Sequence, residues 1–137
     1  MSIHELRPKL PDSEKLTINL GLVDLGHIDL LVQQGFYANR TDLIRMAIRN
    51  LLATHAEAVR QTVMRKHLVL GLQHFSQADL EAARQAGETL HIRVLGLASI
   101  AEDVSPELAL ATIESVEVLG AFHASAAVKS ALAGRIH

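Results

Sequence analysis

A short alternating segment carries the side chains best suited to specific hydrogen bonding. Lys15, Thr17 and Asn19 occupy every second position and offer an ammonium, a hydroxyl and a carboxamide. The positions between and after them are apolar, namely Leu16, Ile18 and Leu20. Because successive side chains of a strand point to opposite faces, this period of two predicts a strand over residues 15–20 with one polar and one buried face.

Two helical patterns follow this segment. Apolar residues recur at helical spacing from Val23 to Gly35, and a glycine at that position is a natural C-terminal stop. Asn39 is a good N-cap for the second helix, with Asp42 able to return a bond as an approximate capping box. The second apolar stripe weakens beyond residue 52, so this helix is expected to run on, or restart, as a connector to about Lys66.

The second half contains an internal repeat. The segments Val69–Leu72, Val94–Leu97 and Val118–Ala121 align with offsets of 25 and 24 residues. Each is followed by a helical pattern that opens on a serine able to cap it, namely Ser76, Ser105 and Ser125. A strand and a helix every ~24 residues are typical of a leucine-rich-repeat-like α/β solenoid with parallel strands. The near-continuous apolar run over 92–100 suits a strand that is buried on both faces.

Composition limits the class of protein. The net charge is −2, yet residues 1–67 hold nine of the 13 Lys and Arg residues and only seven of the 15 Asp and Glu residues. A polyanionic partner should therefore meet the N-terminal half. The chain has no cysteine, and neither a membrane span nor a secretion signal is evident, so we expect a cytoplasmic protein with no membrane partner.

The strand at 15–20, the Gly35 turn and the segment Asn39–Arg49 together resemble the ribbon-helix-helix family of bacterial repressors, over about residues 14–55. The resemblance implies an intertwined dimer, in which two copies pair their strands as an antiparallel ribbon that enters the major groove of DNA. Two helices too short to enclose a core alone fit such a dimer. Its expected core residues are Leu16, Ile18, Leu20, Ile44 and Ile48.

The resemblance also implies which residues contact DNA. Lys15, Thr17 and Asn19 would read base edges, where lysine suits guanine and asparagine suits adenine. The start of the second helix would hold phosphate through its free amides and dipole, which maps to Asn39, Arg40 and Thr41.

Plainer interpretations remain open for these residues. The polar face of 15–20 also suits an ordinary solvated strand. Asn39 and Thr41 suit helix capping whatever else they do, whereas Arg45 and Arg49 suit solvated or intersubunit ion pairs better than base reading.

Neither a metal site nor an active site is expected. The eight histidines lack close ligand spacing and any companion cysteine, although His74 and His123 occupy nearly equivalent positions after a repeated glycine. No nucleophile and base combination has a recognisable context, and Gly21, Gly26 and Gly35 form no phosphate loop. We expect no cofactor and no enzymatic activity.

The sequence thus predicts an α+β ribbon-helix-helix module followed by a small α/β repeat domain. Its expected parts are a flexible arm (1–13), a DNA-binding domain (14–55), a helical connector (56–67) and a three-repeat domain for oligomerisation (68–137). The expected function is that of a transcriptional regulator, most simply a repressor, which binds double-stranded DNA as a homodimer or higher oligomer. An antitoxin of a toxin-antitoxin pair and a self-assembling scaffold are the alternatives.

Overall fold

The computed structural model describes residues 13–137, in two compact units, Ser13–Thr62 and Val63–His137. The predicted N-terminal arm, with Lys9 as a possible phosphate contact, lies outside the described residues except for Ser13. Along the described chain, no helix is both long and apolar enough to cross a membrane.

The first unit contains α1 (Leu22–Gln33) and α2 (Arg40–Thr54), which pack against each other. The first helix ends as predicted at Gly35, whose φ of +84° is a left-handed conformation that glycine adopts without a steric penalty. The amides of Gly35 and Phe36 bond back to carbonyls of the last helical turn, Val32 and Leu31 respectively. The turn between the two helices is therefore fixed locally.

The connector restarts as a separate helix rather than running on. Helix α2 ends at Thr54, and α3 (Ala56–Lys66) begins after His55 and spans the boundary between the units. An ion pair one turn apart, Glu57 with Arg60 at 2.6 Å, lies in the first turns of α3.

The second unit alternates strands and helices. Strands β1 (Val69–Phe75), β2 (Leu90–Ile100) and β3 (Ile113–His123) form a parallel sheet in the order β1-β2-β3. Each strand is followed by a helix, namely α4 (Gln77–Gln85), α5 (Pro106–Thr112) and α6 (Ala126–Ala131). The predicted serine caps are confirmed, because the side chains of Ser76, Ser105 and Ser125 each accept a bond from the amide three residues later.

The sequence repeat corresponds to the register of the sheet. Gly71 pairs with Gly96, and Gly96 with Gly120, so the three repeated segments lie side by side. A Cβ atom added to Gly96 would lie 2.1 Å from the carbonyl oxygen of Gly71, and one added to Gly120 would lie 2.0 Å from that of Gly96. The repeated glycines therefore allow neighbouring strands to approach closely.

The core of the second unit lies between the sheet and its three helices. Buried side chains from the helices pack with buried side chains from β2 and β3, including Leu80, Ile92, Val94, Leu108, Ala109, Val116 and Val128. Burial of both faces holds best for the end of β2, where residues 97–100 are all buried. It does not hold for β1, where no residue is buried.

Candidate nucleic-acid interface

The alternating segment 15–20 forms neither a helix nor a strand in the single chain. A strand is defined by bonds to a neighbouring strand, and no segment among residues 13–137 pairs with this one. Lys15, Thr17 and Asn19 are all exposed. The strand and its base contacts therefore stay predictions about a paired state.

The apolar side chains of the same segment are also exposed. Leu16 is 85% exposed and Ile18 is 61% exposed. Large apolar side chains left in water at alternate positions are unfavourable, and burial of each contributes about 1.5–3 kcal/mol. The described chain supplies no such burial.

The two helices add further exposed apolar surface. Among residues 13–62 no side chain is buried, Ile44 is only partly covered, and Ile48 is 52% exposed. Leu51 and Leu52 at the end of α2 are likewise exposed. A unit of this kind has exposed apolar side chains on both helices but no interior, so this apolar surface needs a partner to become a core.

The start of α2 is capped as predicted. The side-chain oxygen of Asn39 accepts a bond from the amide of Asp42 at 2.8 Å. The carboxylate of Asp42 accepts from the amide of Ala38 at 3.0 Å, and not from that of Asn39 as a strict capping box would require. Thr41, in the first turn, is exposed. This geometry orients the first amides of α2 and leaves the helix end accessible.

Arg40 has a partner that the sequence analysis missed. Its guanidinium forms a two-pronged ion pair with Asp29 of α1, with Nε to Oδ1 at 2.7 Å and the second bond at 2.8 Å. The hydrogen bonds from Arg40 lower the pKa of Asp29, so the carboxylate stays ionised to a more acidic pH than an ordinary aspartate does. No local spacing rule finds this pair, because the residues are 11 positions apart on different helices.

Two histidines of the second unit make hydrogen bonds with serines. His74 Nδ1 lies 2.5 Å from Ser99 Oγ, and His91 Nδ1 lies 2.8 Å from Ser115 Oγ. His74 and His123 pair in register with Ser99 from either side, so the two histidines do occupy equivalent positions on flanking strands. In the described portion of the chain, no three His, Asp or Glu side chains are grouped so as to hold a metal ion.

An open cleft of about 770 Å³ lies beside these residues, where the strands end and the helices begin. Its lining includes His74, Ser99 and His123 together with Glu102 and Asp103. The carboxyl edge of a parallel sheet is a common place for a ligand, but these side chains do not specify one ligand class.

Comparison with known proteins extends the resemblance beyond the first unit. A model of a ribbon-helix-helix transcriptional regulator family matches residues 11–129, which include most of the three-stranded unit. Neither a curated protein nor a solved structure matches the chain. Since the family model spans well over half of the sequence, the chain belongs to the ribbon-helix-helix transcriptional regulator family.

Proposed function

We propose that the protein is a homodimeric, sequence-specific transcriptional repressor whose residues 15–20 pair with those of a second copy and enter the DNA major groove. The observation that carries this proposal is the first unit, which exposes apolar side chains on segment 15–20 and on both helices and buries none. Pairing two copies would convert Leu16, Ile18 and Leu20 into a shared core. The same pairing would collect the polar residues on one outer face.

The polar face provides the chemistry for base recognition. A two-stranded ribbon fits the major groove, where each base pair shows a distinct pattern of donors and acceptors. Lys15 donates to guanine O6 or N7, and the Asn19 carboxamide can bond adenine bidentately. Thr17 offers a hydroxyl and a methyl group, which suits thymine. Two copies would present these residues twice, related by a two-fold axis, and this favours a palindromic operator.

The start of α2 provides the phosphate anchor. Asn39 and Thr41 lie at a helix end where free amides and the helix dipole attract an anion. Arg40 adds a positive charge next to them, although Asp29 holds it in the free chain. A phosphate must therefore compete with Asp29 for the guanidinium or share it, which tunes the affinity for DNA of any sequence.

The remaining segments have a supporting role in this proposal. Residues 14–55 bind DNA, 56–67 connect, and 68–137 associate with other copies. The second unit has a buried core of its own, unlike antitoxin segments that become ordered only on binding a toxin. We therefore favour the regulator over the antitoxin and over a scaffold with incidental DNA binding.

Substitutions on the polar face test the assignment. Asn19→Ala and Thr17→Ala should each reduce discrimination between operator and random DNA by about 1–3 kcal/mol, because each loses direct contacts to base edges. Arg40→Ala is the matched comparison, since loss of a phosphate contact should weaken binding to all sequences about equally and reduce the salt dependence.

The measurement is a fluorescence titration of an operator, found by selection from a random duplex pool, alongside an unrelated duplex. An Asn19→Ala protein that loses the same affinity for both duplexes would show that the residue does not read bases. If the native protein enriches no sequence from the pool, the proposed function itself is wrong.

A further inference from the structure

Strand β1 leaves one side of the sheet open. It pairs with β2 only, so the backbone groups on its outer side have no strand partner within residues 13–137. The opposite edge is different, because Ile136 forms a parallel bridge with Val116 of β3 and the His137 amide donates to the Val116 carbonyl at 2.8 Å. Residues 136–137 thus cover part of the β3 edge, while the β1 edge has no strand partner among residues 13–137.

Within the part of the chain that the structure describes, strand β1 lacks the features that normally protect an edge. Natural edge strands carry charges, proline or a covering element that prevents them from pairing with another chain. The sequence of β1, Val69–Phe75, contains no Lys, Arg, Asp, Glu or Pro. Leu70 is 71% exposed and Leu72 is 62% exposed. Apart from Gln73 and His74 this edge is apolar, and it carries no Lys, Arg, Asp or Glu that would repel an identical copy of itself.

Gly71 provides a second, independent indication. Its φ of +124° matches those of Gly96 and Gly120, +141° and +122°, where a Cβ would strike the carbonyl of the preceding strand. By this equivalence the missing Cβ of Gly71 points off the open edge, where nothing lies within 4 Å. Gly71 has the conformation that permits close backbone approach, yet no strand of residues 13–137 approaches it on that side.

We propose that the β1 edges of two copies pair with each other in antiparallel fashion across a two-fold axis, joining two three-stranded sheets into one. The assignment rests on the proposed role of residues 68–137 in association, and it names the surface that performs it. A two-fold contact uses the same patch on both copies, which suits an edge without Lys, Arg, Asp or Glu. Head-to-tail growth would instead require the β3 edge, which Ile136 and His137 partly cover.

The test distinguishes pairing of the β1 edges from pairing at residues 15–20. Ile18→Asp is introduced first, so that association through the first unit is removed, and the mass of the full chain is measured by sedimentation equilibrium. We expect a mass of two chains. Adding Leu70→Lys with Leu72→Lys should reduce it to one chain, because four lysines would meet across the axis.

A matched control carries Leu110→Lys with Leu119→Lys, which makes the same charge change at exposed leucines of α5 and β3. Leu119 stands in the same register row as Leu70, on the opposite edge strand. The control protein should keep the mass of two chains. If the control protein also dissociates, the two copies are in contact through the sheet face that carries Leu70 and Leu119, and not through the β1 edge. A single-chain mass before any lysine is added, or a two-chain mass after Leu70→Lys with Leu72→Lys, would also overturn the proposal.

Amide hydrogen exchange is a second test of the pairing. It is measured in the chain with native Ile18, so it does not require the Ile18→Asp protein to fold. Pairing predicts that outward amides of 69–75 are protected, and that Leu70→Lys with Leu72→Lys removes this protection while the control does not. Equal exchange in all three proteins would contradict the pairing. Failure of the DNA-binding proposal would leave these results unchanged, because neither measurement involves DNA.

Discussion

Replacing Ile18 by Asp should abolish operator binding by separating the two copies at residues 15–20. In the single chain Ile18 is 61% exposed, and we expect pairing to bury it. Burial of an unpaired carboxylate costs several kcal/mol, and each dimer would contain two. A loss of about 4 kcal/mol already raises the dissociation constant roughly a thousandfold. The second unit should keep its structure, because its core is its own.

The pairing itself can be followed by energy transfer between labelled copies. The chain has no cysteine, so Ser13→Cys gives a single labelling site. The measurement is made with Leu70→Lys and Leu72→Lys present, so that only the N-terminal association is read.

Thr17→Asp is the matched control for this experiment, because the same charge on the opposite face should prevent DNA binding without preventing energy transfer. Full energy transfer and full operator affinity in the Ile18→Asp protein would show that residue 18 is not in a shared core.

Gly96→Ala should strongly destabilise the second unit. The new Cβ would lie 2.1 Å from the Gly71 carbonyl oxygen, at a φ of +141° that an L side chain rarely adopts. Backbone strain of this kind costs about 1–3 kcal/mol, and separating two bonded strands adds to it, so we expect a loss of at least ~3 kcal/mol. Urea unfolding followed by circular dichroism measures the change.

Gly71→Ala is the natural comparison for this substitution. Gly71 has a similar φ of +124°, but the space around the added Cβ is open. The free energy of unfolding should therefore fall only by the cost of the backbone strain, about 1–3 kcal/mol. The two proteins should be compared at protein concentrations so low that the free energy of unfolding no longer depends on concentration. At higher concentrations, pairing of β1 edges would add to the measured stability. Equal destabilisation by the two substitutions would mean that close strand approach is unimportant.

Local signals in the sequence predicted much of the fold. The serines at 76, 105 and 125, Asn39 and Gly35 mark helix ends, and each acts through bonds within a few residues, so sequence alone is informative there. The repeat spacing placed Gly71, Gly96 and Gly120 in one row because regular parallel strands keep a constant offset. The solenoid-like description and the role of 68–137 in assembly stay predictions.

Interactions between distant residues were not predictable in the same way. The Arg40 and Asp29 pair depends on how α1 crosses α2, and the Ile136 bridge depends on where the chain returns after α6. The segment 15–20 illustrates a different limit. Its alternation predicts a strand, but a strand at this position needs a partner from outside the described chain. The base contacts of Lys15, Thr17 and Asn19 stay predictions for the same reason.

Disulfide cross-linking along residues 15–20 tests the central claim most directly. Single cysteines are placed at positions 16, 17, 18, 19 and 20 in turn, and the yield of linked dimer is measured after mild oxidation. A disulfide requires Cα atoms about 4.4–6.8 Å apart, so in an antiparallel ribbon only the residues nearest the two-fold axis can meet their own copies. We predict one maximum within the segment, with yields that fall toward both ends. Equal yields at all positions, or no linked dimer at any position, would contradict the account.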